Sequence, residues 1–499
     1  MIKKVLIANR GEIAVRIIRA LRDMGLQAVS VFSEADRSAR HVRLADEAYC
    51  IGPAPSSQSY LNVEAILDAA RKSGSQAIHP GYGFLSENAS FASLCEERGL
   101  IFIGPPASAI AAMGEKTQAR RLMTAAGVPV VPGTLDPVSG VREAEREAGK
   151  VGYPVMLKAS SGGGGKGMRL VGGPAELPSA FRDASSEAQQ AFSDGSLYIE
   201  KAIVKPRHIE MQILADGHGN AVYLGERECS IQRRHQKIVE EAPSPFVTRD
   251  MRAKMGDIAV RAARAVGYVN AGTVEFLVDE GGNFYFMEMN TRLQVEHAVT
   301  EMVTGIDLVC EQVRIAGGEK LSVSQQDVAV RGWAMECRIY AEDPENHFLP
   351  CPGKVVALRL PEGPGVRVDS AVFTGGEVSL HYDPMIAKVV AWGRDRHAAA
   401  AVMNRALQEF QIVGIRTNRN FLLQIVSHPE FLAGNLDTNF VPRFLGLNEY
   451  RSPGPHDVAD ISAAIFAYES SRREAPGPGG SGAPSAWRRA IQPGLRFSK

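Results

Sequence analysis

Two β-branched and aromatic runs, Thr273–Asp279 and Phe284–Met289, flank Glu280-Gly281-Gly282-Asn283 and predict a β-hairpin. With those four residues as the loop, Glu275 faces Glu288 across it. Two carboxylates so placed repel by about 4 kcal/mol at ~4 Å and an effective dielectric of ~20, so something should neutralise them. Oxygen ligands favour Mg²⁺ or Mn²⁺, with phosphate oxygens completing the shell. Asn290, Arg292, Gln294 and Glu296 continue the alternation, and with Glu288 they put five polar groups on one side. A solvated strand face with two unrelated acids is the alternative. Such a face does not require this assortment, whereas a site for a metal, phosphates and a small anion does.

The elements that must position these groups are legible in the same way. Val5–Ala8, Gln27–Phe32, Ala77-Ile78 and Leu100–Ile103 read as strands alternating with helical segments. That is an open parallel α/β domain. Asn9-Arg10-Gly11-Glu12 forms its first turn; lacking G-x-G-x-x-G, it disfavours a dinucleotide. His79–Asn88 lies at the usual ligand edge of such a sheet, and its glycines allow close backbone approach. After a helix around Lys116–Ala126, Tyr153–Ala159 forms a strand with Lys158 near its end. Ser160–Met168 then brings four consecutive glycines, a lysine and a return strand. Its amides can fold over phosphates, although it is no Walker loop, and a hairpin tip is the plainer alternative. Leu197–Lys201 is a strand leading to a polar hinge, and Glu226–Lys237 is too polar for a core strand and too mixed in sign for nucleic acid. A helix is expected over Ala298–Gly317. Trp333–Tyr340 opens a β-rich region with Glu336 and Arg338 on one face, followed by strands at Val355–Leu360, Val366–Ser370 and Met385–Trp392 and a helix near Arg396–Phe410.

The 499 residues allow two or three domains, and 56 basic against 56 acidic residues leave no net field to recruit nucleic acid or an anionic membrane. No apolar run is long enough to span a bilayer, and the N-terminus enters a strand at once. Six scattered cysteines without C-x-x-C fit a reducing, cytoplasmic setting. Beyond Arg451 the chain turns polar: His456–Ser471 could form an amphipathic helix, Glu474–Ser485 reads as disordered and Trp487–Ile491 is a short basic piece.

Assembled, these pieces resemble a biotin carboxylase of the ATP-grasp superfamily over Ile2–Leu447. The resemblance is carried by I-A-N-R-G-E-I-A (7–14), H-P-G-Y-G-F-L-S-E-N (79–88), K-A-S-S-G-G-G-G-K-G-M (158–168), Q-R-R-H-Q-K (232–237), E-M-N-T-R-L-Q-V-E-H (288–297) and E-C-R-I-Y-A-E-D-P (336–344). It implies an N-terminal pre-ATP-grasp domain (1–115), an ATP-grasp domain (116–330) with a mobile lid at about 131–203, a β-rich C-terminal domain (331–447) and a partly disordered tail (448–499). Position by position, it assigns ATP to Lys116, Lys158, Gly164, Gly165, Lys166, Glu200, Lys201, Ile203, His208, Gln232 and His235, together with Glu275 and Glu288. Two Mg²⁺ or Mn²⁺ ions fall to Glu275, Glu288 and Asn290. Lys237, Arg292, Gln294, Val295 and Glu296 correspond to a bicarbonate pocket, and Tyr82 and Arg338 to the biotin ring. Ala202, where an aromatic is common, and Lys166, where arginine is frequent, depart from the pattern.

By the same resemblance, Glu296 deprotonates bicarbonate, Arg292 and Lys237 hold it, and Arg338 stabilises the ureido oxygen of biotin. The alternative for Arg338 is a strand salt bridge to Glu336. The chain would serve as the biotin carboxylase subunit of an acetyl-CoA, other acyl-CoA or pyruvate carboxylase, as in fatty acid biosynthesis, and form a homodimer. With no A-M-K-M attachment motif and no length for a carboxyltransferase, it is expected to work with separate biotin carboxyl carrier and carboxyltransferase subunits. Another ATP-grasp ligase, or an ATP-binding scaffold, remains the competing reading.

Overall fold

The computed structural model describes residues 2–134, 136–160 and 167–446, and Ile465 beyond them. The glycine loop with Gly164, Gly165 and Lys166 therefore lies outside the described residues, as do the segments expected over His456–Ser471, Glu474–Ser485 and Trp487–Ile491. The chain divides into two units, Met1–Leu447 and Asn448–Lys499, and the architecture below belongs to the first. Among the described residues no helix is long and apolar enough to cross a membrane.

Strands β1 (Lys4–Ile7), β2 (Gln27–Phe32), β3 (Glu47–Cys50), β4 (Ala77–His79) and β5 (Ile101–Phe102) pair in parallel, in the order β3-β2-β1-β4-β5. Four match the expected strands. The fifth, β3, has no β-branched run to announce it, because as an edge strand it buries none of its residues fully. The helix Gly11–Asp23 buries Ile13, Ile17, Ile18 and Leu21 against this sheet, as its periodicity predicts. Past β4 the chain turns at Gly81 (φ +64°), where Asn9 Nδ2 donates to the carbonyls of Pro80 (2.7 Å) and Tyr82 (2.8 Å). A Cβ at Gly81 would stand 2.9 Å from that nitrogen, so the turn needs glycine for space as well as for φ.

Three strands, β6 (Val155–Ala159), β7 (Arg169–Val171) and β8 (Leu197–Lys201), form a small antiparallel sheet. With the helices Val141–Val151 and Leu177–Phe192 it closes a core of its own around Leu157, Leu177 and Ile199.

The site rests on a larger antiparallel sheet. Its strands are β9 (Arg207–Ala215), β10 (Ala221–Arg233), β11 (Gln236–Ala242), β12 (Asn270–Val278), β13 (Phe284–Asn290), β14 (Trp333–Tyr340), β15 (Val366–Ser370) and β16 (Met385–Gly393). They run in the order β13-β12-β9-β10-β11-β14-β16-β15, so the C-terminal strands extend the sheet of the central region. The polar run Glu226–Lys237, expected to avoid the core, corrects that expectation: most of it is β10, a central strand with Arg227 wholly buried. Polarity misleads here because the buried charges are paired, Arg227 with Glu210 and Glu228 with Arg207 on β9, and Glu226 with Arg252 of the helix Arg249–Ala265. The helix expected over Ala298–Gly317 is two helices, His297–Thr304 and Leu308–Ala316. Gly305 in the left-handed region (φ +74°) ends the first, and Asp307 caps the second through Cys310 N at 2.8 Å.

Candidate active site

Glu275 and Glu288 are direct partners across the β12–β13 hairpin, by a different route from simple counting. The ladder closes at Val278 and Phe284, because Asp279 leaves the strand to accept from Gly281 N and Asn283 N, each at 2.9 Å. The loop is thus five residues, which alone would turn Glu288 to the opposite face. A one-residue bulge at Met287 restores the register.

The row continues across the sheet. Glu275 pairs in register with Glu210 of β9, and Glu210 with Arg227 of β10, so four strands present Glu288, Glu275, Glu210 and Arg227 in line. Three adjacent carboxylates need more than Arg227, and Lys237 supplies it. Its Nζ lies 2.6 Å from Glu210, 2.8 Å from Glu275 and 2.7 Å from Glu296. Burial alone would depress the Lys237 ammonium, but these three acids raise it well above its ordinary value. Burial would likewise raise Glu275 and Glu296. Lys237 with His208 holds the first well below the carboxylate range, and Lys237 with Arg338 and Arg227 the second. Glu288 opens to solvent and has no ion pair among the described residues; desolvation by the cleft walls and then the Glu275 charge raise it.

The residues after β13 leave regular structure but converge as expected. Asn290 Nδ2 (2.8 Å) and Gln294 Nε2 (2.7 Å) both donate to Glu275, and Gln294 Oε1 accepts from Arg227 at 2.7 Å. Arg292 donates to Asn290 Oδ1 (2.9 Å) and pairs with Glu87 (2.8 Å) from the loop after β4. Glu296 holds Lys237 with one oxygen and Arg338 with the other at 3.0 Å, and the Val295 carbonyl accepts from Lys388 at 2.6 Å. Arg338 also pairs with Glu240 at 2.5 Å and not with Glu336, so the strand salt bridge considered from the sequence does not form. Tyr82 packs at the edge of the core cluster that includes Leu293, with its hydroxyl buried and without a hydrogen-bond partner among the described residues.

A second group of charges gathers on the small sheet. Lys158 and Arg120 both pair with Glu200 on β8. Desolvation, then the charges of Lys116 and Arg120, lower the Lys158 ammonium to about 8, the mark of a crowded cationic corner suited to anions. Lys201 Nζ donates to the carbonyls of Gly152 and Tyr153, both at 2.9 Å, while Ala202 is buried and Ile203 lies just past the ladder's end. His208 stands 2.8 Å from Glu275 and 2.7 Å from Gln232, between this corner and the carboxylate row. His235 lies away from that cluster, exposed at the β10–β11 turn with φ +65°.

Comparison with known proteins decides what this arrangement belongs to. The family "Biotin carboxylase, N-terminal domain" matches residues 1–110, "Carbamoyl-phosphate synthase L chain, ATP binding domain" 115–324 and "Biotin carboxylase C-terminal domain" 336–443. Biotin carboxylase 1 of Bacillus subtilis (strain 168) is 54% identical over 445 residues, 89% of this chain and 99% of that protein. The chain belongs to the biotin carboxylase family. The mitochondrial methylcrotonoyl-CoA carboxylase subunit alpha of Mus musculus is 56% identical over 443 residues, 89% of this chain; the match spans only 62% of that longer relative. The biotin carboxylase domain of Hydrogenobacter thermophilus 2-oxoglutarate carboxylase, solved with MgADP and bicarbonate, superimposes with a TM-score of 0.86 at 48% identity, covering 91% of this chain and all of that one. The fold is thus the biotin carboxylase fold, and an ATP-grasp nucleotide site is part of it.

Three residues paired into this cluster were not singled out from the sequence: Glu210, Arg227 and Glu87. Glu210 and Arg227 are joined by an ion pair and have no exposed surface. Their signal was present as charged residues inside strand-like alternation, which a core strand tolerates only when they are paired. A divalent metal fits the donors here. Glu275 and Glu288 face each other across the hairpin with Asn290 at its end, all three offer oxygen ligands, and Glu288 has no ion pair among the described residues.

Proposed function

We propose that this chain uses ATP and bicarbonate to carboxylate biotin presented by a separate carrier protein. The observation that carries this reading is the continuity of the site. Lys237 joins Glu275 to Glu296, and Glu296 joins Lys237 to Arg338, so phosphate activation, anion binding and biotin chemistry share one hydrogen-bonded cluster. Lys116, Lys158, His208, Gln232, His235 and the Gly164–Lys166 loop hold the nucleotide, with Glu200, Lys201 and Ile203 at the adenine. Two ions on Glu275, Glu288 and Asn290 would offset charge on the β- and γ-phosphates.

Bicarbonate entering beside Gln294 and Val295 takes hydrogen bonds from Lys237 and Arg292. Glu296 thereby loses part of the field that keeps it a weak base, and accepts the bicarbonate proton. The resulting carbonate oxygen attacks the γ-phosphorus, releasing ADP and forming carboxyphosphate. That intermediate breaks to CO₂ and phosphate, the phosphate takes the biotin N1′ proton, and N1′ attacks CO₂. Arg338, beside Tyr82 in the family pattern, stabilises the oxyanion on the ureido oxygen. Carrier and carboxyltransferase subunits complete the reaction, the chain acts as a homodimer, and a reducing cytoplasm suits its six free thiols. The final acceptor is an acyl-CoA or a 2-oxo acid; relatives act in methylcrotonoyl-CoA, propionyl-CoA, pyruvate and 2-oxoglutarate carboxylases.

ADP release with and without biotin tests the division of roles. Arg338→Ser should lower biotin carboxylation by about 10²–10³-fold, the usual loss for one charge-stabilising donor, and spare bicarbonate-dependent ATP hydrolysis. Glu296→Gln should suppress both. Equal loss of both activities in Arg338→Ser would assign the arginine a structural role.

A further inference from the structure

Behind Arg338 the sheet holds a second pair of opposed carboxylates that the reaction as described does not use. Glu240 of β11 and Glu336 of β14 are direct cross-strand partners, and neither has exposed surface. Glu240 Oε1 lies 2.5 Å from Arg338 Nη2 as an ion pair, yet neither Glu240 nor Glu336 has a hydrogen-bond partner for its carboxyl oxygens among the described residues. The cations around the pair are already engaged. Arg338 serves Glu296 as well, and Lys237 holds Glu296, Glu275 and Glu210. Lys388, opposite Arg338 on β16, donates to the Val295 carbonyl and lies 3.7 Å from Glu12 and 3.8 Å from Asp369. Two buried acids facing one shared cation cannot both ionise. A proton kept between them turns the repulsion into an O–H···O⁻ hydrogen bond, the strong charge-assisted kind.

We propose that Glu240 and Glu336 share one proton, Glu336 donating to the Glu240 carboxylate, and that this pair is the positioning device that aims Arg338 at biotin. Burial pushes both carboxyls upward, Glu336 well above the ordinary range and Glu240 to about 7, the direction that sharing requires. One anion on Glu240 and one on Glu296 then hold Nη2 of the guanidinium between them, so it meets the ureido oxygen without searching rotamers. The positioning half of this proposal rests on the role given to Arg338 above; the shared proton does not.

Infrared difference spectra of the full chain test the proton directly. At about pH 8, where ordinary carboxyls are ionised, Glu336→Gln should remove one protonated-carboxyl C=O band. Kinetics test the positioning. Glu336→Gln keeps a donor facing Glu240 and should retain most biotin carboxylation. Glu336→Leu removes it and should lose about tenfold in kcat, the scale of one lost buried hydrogen-bond partner, with bicarbonate-dependent ADP release unchanged. An unchanged infrared spectrum in Glu336→Gln overturns the shared proton. Equal kcat in the Gln and Leu variants, or parallel loss of both activities in Glu336→Leu, overturns the positioning role. If Arg338→Ser leaves biotin carboxylation intact, the functional reading fails, and the infrared result still decides the proton.

Discussion

At the scale of single residues, one lysine balances three acids. Lys237 touches Glu210, Glu275 and Glu296, and the remaining carboxylate of the row, Glu288, has no ion pair among the described residues and would meet a metal in the function proposed above. Glu288→Gln should therefore raise the Mg²⁺ concentration for half-maximal ADP release about tenfold or more, the loss expected when one charged ligand becomes neutral. A magnesium titration with unchanged midpoint would return Glu288 to a solvated face. The residues that touch substrates in this account were legible in the sequence, because alternation past Met289 grouped them and the motifs named them. Their supports were not. Arg227 meets Glu210 from 17 positions away and Lys237 meets Glu275 from 38, and no local pattern encodes such pairing across strands.

At the scale of elements, compensating irregularities place the groups. The five-residue loop and the Met287 bulge each shift the β12–β13 register by one and cancel, so an expectation built on a regular four-residue loop found the right partners for the wrong reason. Long apolar runs such as β2 and β16 were legible, since burial on both faces demands them. The break between the helices His297–Thr304 and Leu308–Ala316 was not, because Gly305-Ile306-Asp307 interrupts a pattern that stays apolar on both sides. That break depends on one backbone angle. Gly305→Ala, at φ +74°, should cost about 1 kcal/mol, read as a lower urea midpoint. Nothing stands within 4 Å of the added Cβ, so ADP release should persist; an unshifted midpoint would contradict a left-handed helix terminus there.

At the scale of the whole molecule, buried titratable groups pull stability in opposite directions with pH. His41 has no exposed surface, and burial lowers its pKa from 6.5 to about 4. The unfolded chain therefore takes up a proton that the folded one refuses, and stability from this group is lost as pH falls from 6.5 to about 4. Glu12 is raised from 4.5 to about 7, again chiefly by burial. Folding then binds a proton, and Glu12 favours the folded state increasingly as pH falls through that window. Urea midpoints at pH values across the window should show His41→Gln losing less stability on acidification than the parent, and Glu12→Gln losing more. Identical slopes would mean that these groups are not held in their buried states. The central claim, that one continuous cluster couples bicarbonate activation to biotin, has its most direct test in ADP release by the purified chain, with bicarbonate and biotin each present or withheld. Release should be slow, require bicarbonate and accelerate when biotin is added. Release that proceeds without bicarbonate, or that ignores biotin at saturating bicarbonate, would contradict it.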